Sequence, residues 1–103
     1  MQKIFSMYRL RPGVTVEEFR KWSVSMDQKV TPFQPGVYRF EVYEIEGTDQ
    51  GEITYQIVED IDAESWEAWQ KVLKSESQQE VVKTWEELCD PSSLKVFYGR
   101  KIK

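Results

Sequence analysis

The sequence has no histidine and a single cysteine, Cys89, among its 103 residues. A disulfide framework needs paired cysteines, and a Cys/His zinc site or a Cys-His dyad needs histidine, so all three are excluded. We therefore expect Cys89 to be an unreactive thiol. The chain also has no run of about 18 apolar residues and no charged leader with a small-residue cleavage site. These absences predict a cytoplasmic protein that does not contact a membrane.

Basic residues are fewer than acidic residues. Lysine and arginine number 14 against 18 aspartates and glutamates, which leaves a formal net charge of −4. A negative chain with scattered basic residues repels a phosphate backbone, so we expect no nucleic-acid partner. A glycine-rich phosphate loop and carboxylates spaced to cage a cation are missing as well. We predict neither a metal nor an organic cofactor.

Aromatic residues, by contrast, are abundant. Four Trp, five Tyr and five Phe make up 14% of the chain. Each large ring buries about 150 to 250 Å² when it enters a core. The core of so small a protein cannot absorb all of them, so some are expected to line a pocket or an interface.

The hydrophobic pattern of the first half predicts a strand, a helix and a hairpin. Side chains alternate from Ile4 to Leu10, as in a strand. Thr15 and Glu18 fit a capping box at the start of a helix. Alternation returns from Val37 to Ile45, typical of an edge strand, and from Ile53 to Ile61, with a turn-rich link between them.

The second half predicts a two-piece helical region and a last strand. Asp62 is a candidate N-cap, and Ser75 to Gln79 interrupts the helical pattern. Ser77 and Glu80 repeat the capping box, and alternation from Leu94 to Ile102 indicates a strand. The order β-α-β-β-α-β predicts a single α+β domain over residues 1–103, ferredoxin-like, with a four-stranded antiparallel sheet and both helices on one face.

The strands carry apolar side chains on both faces, although helices can cover only one. A second copy of the sheet, packed face to face, would hide the other face, so we expect a homodimer. Arg9 and Arg39 lie within strands, and we expect them to form interface ion pairs with Glu41 or Glu59. The alternative is a monomer with some exposed aromatic residues.

Several segments resemble one known family. They are the run from Arg9 to Gly13, the helix with Trp22 and Asp27, the strand from Val37 to Tyr43, and the stretch from Trp85 to Gly99. Together they resemble the dimeric α+β barrel superfamily and, within it, the RedY/HapK-like proteins of prodigiosin-type pigment pathways. The resemblance implies a homodimer, a ligand cleft between helices and sheet in each subunit, and a role in the bipyrrole branch of the pathway.

The same superfamily includes cofactor-free monooxygenases, haem-degrading monooxygenases and cyclases. A chain without histidine lacks the usual axial imidazole for haem iron, so haem degradation is not expected here. Three hypotheses remain open. The chain is a cofactor-free enzyme acting on an aromatic pyrrole or polyketide-like intermediate, a binding or scaffold protein for such an intermediate, or a cofactor-independent monooxygenase.

Asp27 and Tyr8 are the candidate catalytic residues. Asp27 lies at the edge of the buried helical stripe, where desolvation would raise its pKa toward acid or base use; the alternative is a solvated charge at a helix end. Tyr8 shares its strand face with apolar residues, as do Tyr55 and Tyr98, so the three hydroxyls are candidates to meet in one cavity. The alternative for such rings is a place in the core.

Flat rings and a flexible thioether suit an extended aromatic ligand, although stripes of such residues also build ordinary cores. The predicted substrate-binding residues are Trp22, Met26, Phe33, Tyr55, Trp66, Trp69 and Tyr98. An apolar aromatic small molecule is the predicted partner.

Overall fold

The structure, a computed structural model, describes residues 1–103. Its strands and α-helices are β1 (Gln2–Leu10), α1 (Val16–Trp22), α2 (Gln28–Val30), β2 (Val37–Glu44), β3 (Ile57–Ala63), α3 (Trp66–Lys74), α4 (Gln79–Leu88) and β4 (Cys89–Gly99). A π-helical turn, Ser23–Asp27, joins α1 to α2, and short 3-10 turns lie at Thr31–Phe33 and Glu76–Gln78. No helix is both long enough and apolar enough to cross a bilayer.

The four strands form one sheet in the order β2-β3-β1-β4, and every neighbouring pair is antiparallel. Helices α1, α3 and α4 pack on one face of this sheet. The predicted ferredoxin-like α+β fold is therefore confirmed.

One of the three predicted helix caps is present in the structure. Thr15 caps α1 with the full capping box, as predicted. Helix α3, however, is capped by Ser65 and not by Asp62. Asp62 instead belongs to β3, where its carboxylate lies 2.7 Å from Lys3 Nζ on the neighbouring strand. The predicted break between the two helical pieces is present, but α4 follows Gln78 without a side-chain cap.

Several strand boundaries also differ from the prediction, among them the end of β4 at Gly99 and not at Ile102. Strand β3 begins at Ile57 and not at Ile53, so the link after β2 is longer than expected. Strand β4 begins at Cys89 and includes Pro91, which was expected to separate the last helix from the last strand. An edge strand tolerates proline because one side of it pairs with no neighbour, and the β1–β4 register shifts between Met7 and Arg9.

The core consists of two apolar clusters between the sheet and the helices. One lies under α3 and contains Ile4, Val37, Phe40, Ile61, Ala63, Trp69 and Val72. The other lies near α1 and α4 and contains Tyr8, Leu10, Phe19, Ile57 and Cys89. Between them, on the same sheet face, the paired residues Ser6 and Glu59 interrupt the apolar surface. This polar interruption marks the site described below.

The opposite face of the sheet is uncovered. It carries the exposed rings of Phe5, Tyr43 and Phe97 and an ion-pair network that includes Arg39 and Asp60. Arg39 lies on this face as predicted, and its guanidinium also lies 3.6 Å from Glu41.

The prediction that Glu59 pairs with an arginine of the uncovered face is wrong. Its side chain shares the helix-facing side of β3 with Ile57 and Ile61, because side chains alternate between the two faces of a strand.

Candidate functional site

A cavity of about 200 Å³ lies between the helices and the sheet. It is lined by Ser6, Trp22, Asp27, Thr31, Phe40, Glu59, Trp69, Leu73, Gln78, Val81, Val82, Trp85, Leu94 and Val96. Leu73 of α3 and Leu94 of β4 line it and are also exposed to solvent, so they mark its mouth.

Two buried carboxyl groups line this mostly apolar cavity. Asp27 is 3% exposed and Glu59 is 7% exposed. No lysine or arginine lines the cavity, so neither carboxyl group has a basic partner there. Buried carboxyl groups without a cation hold protons more tightly than those in water. The site is therefore a concave apolar space with acidic groups at its base.

Asp27 reaches the cavity from the π-helical turn. Both ends of this turn, Ser23 and Asp27, are buried against the sheet. Such wide turns occur often at functional sites. Thr31 Oγ1 donates a 2.6 Å hydrogen bond to Asp27 Oδ1, and Gln78 Nε2 donates to Thr31 Oγ1 over 2.8 Å.

A hydrogen bond from Tyr8 fixes the carboxyl group of Glu59. The Tyr8 hydroxyl donates a 2.5 Å hydrogen bond to Glu59 Oε2. The Tyr8 ring is fully buried and packs edge-on against Phe19 and Trp85, with ring centroids 6.0 and 5.0 Å away. Aromatic packing on two sides fixes the hydroxyl, so Tyr8 positions the carboxyl group of Glu59.

The environment raises the pKa of both carboxyl groups. Burial raises the pKa of Asp27 to about 6, although the hydrogen bond from Thr31 opposes this. Burial and then the negative charge of Asp27 raise the pKa of Glu59 to about 8, although the Tyr8 hydroxyl opposes this. At neutral pH the pair therefore keeps a proton that two carboxyl groups in water would release.

Three tryptophans supply flat walls: Trp22, Trp69 and Trp85. Trp22 is fixed by its indole nitrogen, which donates to Met26 Sδ over 3.3 Å. Trp69 stacks on Phe40, with 6.5 Å between ring centroids. The rings come from three helices, so only the folded chain brings them around one space.

No three histidine, cysteine, aspartate or glutamate side chains cluster in a way that would hold a metal ion. The two carboxyl groups at the base are the cavity's only formally charged side chains.

A family model described as REDY-like protein HapK matches residues 2–102. The chain belongs to the HapK family. Comparison with curated proteins gave no match.

Solved structures show the same fold as this HapK-family chain. HapK from Hahella chejuensis is 20% identical, with a TM-score of 0.81 over 99% of this chain and 93% of that one. An ethyl tert-butyl ether d (ethd) family protein from Bacillus halodurans is 18% identical, with a TM-score of 0.75 over 99% of both chains. A dimeric ferredoxin-like protein of unknown function from Bacteroides fragilis is 14% identical, with a TM-score of 0.71 over 97% of this chain and 95% of that one.

The structure brings some of the predicted site residues of this HapK-family chain to the cavity. Asp27, Trp22 and Trp69 line it. Tyr8 and Met26 do not line it, but each contacts a residue that does, Glu59 and Trp22 respectively.

The other predicted residues lie elsewhere. Phe33 is 80% exposed at the end of a 3-10 turn, and Tyr55 precedes β3 instead of sharing its alternation. Trp66 and Tyr98 stack on each other with ring centroids 4.4 Å apart and do not line the cavity. None of the three tyrosines considered for one cavity lines it, and only Tyr8 contacts a residue at its base, Glu59.

Sequence analysis missed most of the polar base of the cavity. Glu59, Thr31 and Gln78 were not recognised as site residues. A signal existed for Glu59, because a glutamate between Ile57 and Ile61 on the alternating pattern must share their buried face. Thr31 and Gln78 fall in short turns, where periodicity does not show which side chains point inward.

Proposed function

We propose that this protein binds a small aromatic molecule in the cavity and exchanges a proton with it through Asp27 and Glu59. The observation that carries the proposal is an apolar cavity that ends in two buried carboxyl groups without a basic partner. Burial brings the pKa of each carboxyl group closer to neutrality, the range in which general acid–base catalysis is most efficient.

The dimensions of the cavity favour a small, flat ligand. Its volume of about 200 Å³ is below the roughly 300 to 1,000 Å³ of pockets for drug-sized molecules. A ligand of one or two rings matches this space. Trp22 and Trp69 offer it faces for stacking, and the exposed Leu73 and Leu94 leave a way in.

The ligand class that we propose is a pyrrole or polyketide-like intermediate of secondary metabolism, as in prodigiosin-type pigment pathways. Membership of the HapK family supports this class. A pyrrole N–H group would donate a hydrogen bond to a buried carboxylate. Enclosure and orientation, together with the carboxyl groups, would then supply the catalysis.

The test is to incubate the purified protein with a bipyrrole aldehyde, following products by mass spectrometry and binding by tryptophan fluorescence. We expect quenching and a new product. Asp27→Asn should abolish turnover, and Asp49→Asn, the same change in an exposed loop, should not. Quenching without a product would favour a carrier protein, and an oxygen-dependent product would favour a monooxygenase. An absence of both quenching and product would contradict the proposal.

We further propose that the protein acts as a homodimer through the uncovered face of its sheet. Phe5 and Phe97 are neighbours on paired strands of this face, and both are exposed. The Lys3 ammonium lies 2.7 Å from both Asp60 and Asp62, so the charges beside the rings are already partly neutralised. An apolar patch with compensated charges suits a self-complementary interface.

A further inference from the structure

A chain of four hydrogen bonds connects the exposed Ser77 to the buried Asp27. Ser77 Oγ donates to Gln34 Oε1 over 3.1 Å, and Gln34 Nε2 donates to Gln78 Oε1 over 2.9 Å. Gln78 Nε2 donates to Thr31 Oγ1 over 2.8 Å, and Thr31 Oγ1 donates to Asp27 Oδ1 over 2.6 Å. Every bond in the chain thus directs its proton toward Asp27.

The direction of these bonds favours the ionised form of Asp27. An amide nitrogen only donates, and a hydroxyl has one proton to give. Because Thr31 accepts from Gln78, its proton is available for Asp27. Bonds aligned in a buried chain strengthen one another, and a donated hydrogen bond favours the ionised form of a carboxyl group.

Glu59 has weaker support for a negative charge. Each carboxyl group accepts one hydrogen bond, Asp27 from Thr31 and Glu59 from the Tyr8 hydroxyl at Oε2. The Tyr8 hydroxyl accepts no hydrogen bond within the chain, so no series of aligned bonds strengthens its bond to Glu59. The other oxygen, Oε1, makes no hydrogen bond within the chain, and Glu59 lines the cavity. The buried Cys89 thiol is another titratable group beside the pair. Its pKa is raised first by burial and then by the charges of Glu59 and Asp27, so the thiol keeps its proton.

We propose that the chain from Ser77 fixes Asp27 as the ionised acceptor of the cavity and leaves the proton shared by the two carboxyl groups on Glu59 Oε1. Thr31, Gln78 and Gln34 are then positioning residues. The cavity offers one acceptor and one donor, so it takes ligands with an N–H or O–H group beside a carbonyl oxygen. This ligand preference rests on the function proposed above, whereas the protonation pattern does not.

The protonation pattern is tested on the ligand-free full chain. Aspartate and glutamate are labelled with ¹³C at the side-chain carboxyl carbon, and their NMR shifts are followed through a pH titration. We expect Asp27 to lose its proton at lower pH than Glu59. The reverse order would overturn the proposal, because the proton would then stay on Asp27 in spite of the hydrogen bond that it accepts from Thr31.

Thr31→Val tests the role of the chain, because it removes the donor to Asp27 and keeps the shape of the side chain. We expect Asp27 to bind its proton about tenfold more tightly, and Thr31→Ser to restore the original titration. Thr54→Val, in an exposed loop, is the matched control.

A loss of stability in Thr31→Val without a change in the titration of Asp27 would show that Thr31 is only structural. If Thr31→Val does not fold, Gln78→Met replaces it. Methionine keeps the length of the side chain but donates no hydrogen bond, and we expect a shift in the same direction.

Three probes test the ligand preference by tryptophan fluorescence. Pyrrole-2-carbaldehyde carries the donor and the acceptor, its N-methyl derivative lacks the donor, and 2-methylpyrrole lacks the acceptor. We expect the first to bind at least about tenfold more tightly than either of the others, since each loss leaves a buried carboxyl group unpaired. Equal binding of all three would overturn the preference and leave the proposed function standing. Binding of none would contradict both, while the titration order decides the protonation pattern separately.

Discussion

The hydroxyl of Tyr8 donates a 2.5 Å hydrogen bond to Glu59 Oε2 at the buried base of the cavity. Tyr8→Phe would leave the ring packing in place and remove the only protein donor to this carboxyl group. We expect the free energy of unfolding to fall by about 1 to 3 kcal/mol, because a buried polar group loses its partner. Urea denaturation at neutral pH measures the change.

Tyr38→Phe is the matched control for this substitution. Tyr38 is 60% exposed, and its hydroxyl makes no hydrogen bond within the chain. Its replacement should change the free energy of unfolding by less than about 0.5 kcal/mol. Equal losses in the two variants would mean that the bond from Tyr8 to Glu59 contributes little.

The pH dependence of stability follows from the same pair. Burial raises the pKa of Asp27 to about 6 and that of Glu59 to about 8, so above about pH 5 the folded chain binds protons that the unfolded chain has released. Stability decreases with rising pH wherever the folded state binds more protons.

We therefore expect the free energy of unfolding to fall by on the order of 3 kcal/mol between about pH 5.5 and about pH 8. Urea denaturation at several pH values measures it. Glu59→Gln, which cannot ionise, should flatten most of this dependence. A profile that stays as steep in Glu59→Gln would assign the effect to other groups.

The position of each tryptophan predicts its contribution to ligand-induced quenching. Trp69 lines the cavity, whereas Trp66 stacks on Tyr98 away from it. With a bound aromatic ligand, Trp69→Phe should lose a substantial part of the quenching of the parent protein. Trp66→Phe should retain it. Titrations of the two variants with the same ligand make the comparison, and a loss confined to Trp66→Phe would place the ligand elsewhere.

The proposed dimer is tested at Phe97, on the uncovered face of the sheet. Phe97→Glu would place a negative charge in the apolar patch beside Phe5, so we expect a monomer at micromolar concentration. Val24→Glu adds the same charge at an exposed position of the π-helical turn and should leave the dimer intact. Sedimentation velocity distinguishes the two, and a dimer that survives Phe97→Glu would exclude this face as the interface.

Local patterns in the sequence were enough to predict the order of the elements. The alternation of β1 and the capping box at Thr15 depend on neighbours within a few residues, so both can be recognised without knowledge of the fold. The start of β4 was predicted wrongly because it does not depend on neighbours along the sequence. The presence of Pro91 in a strand depends on β4 being an edge, and that position is decided by which strands pair.

By itself, the sequence determined the ferredoxin-like fold, the absence of histidine chemistry and the choice of Asp27 as a residue near a cleft. Only the tertiary structure decided that Asp27 faces a second carboxyl group, Glu59, from a different element. The hydrogen bonds that divide the roles of these two groups come from β1, from two short turns and from Gln34. Periodicity reports which residues are buried, but the partner of a buried polar group is set by contacts between elements that are distant along the chain.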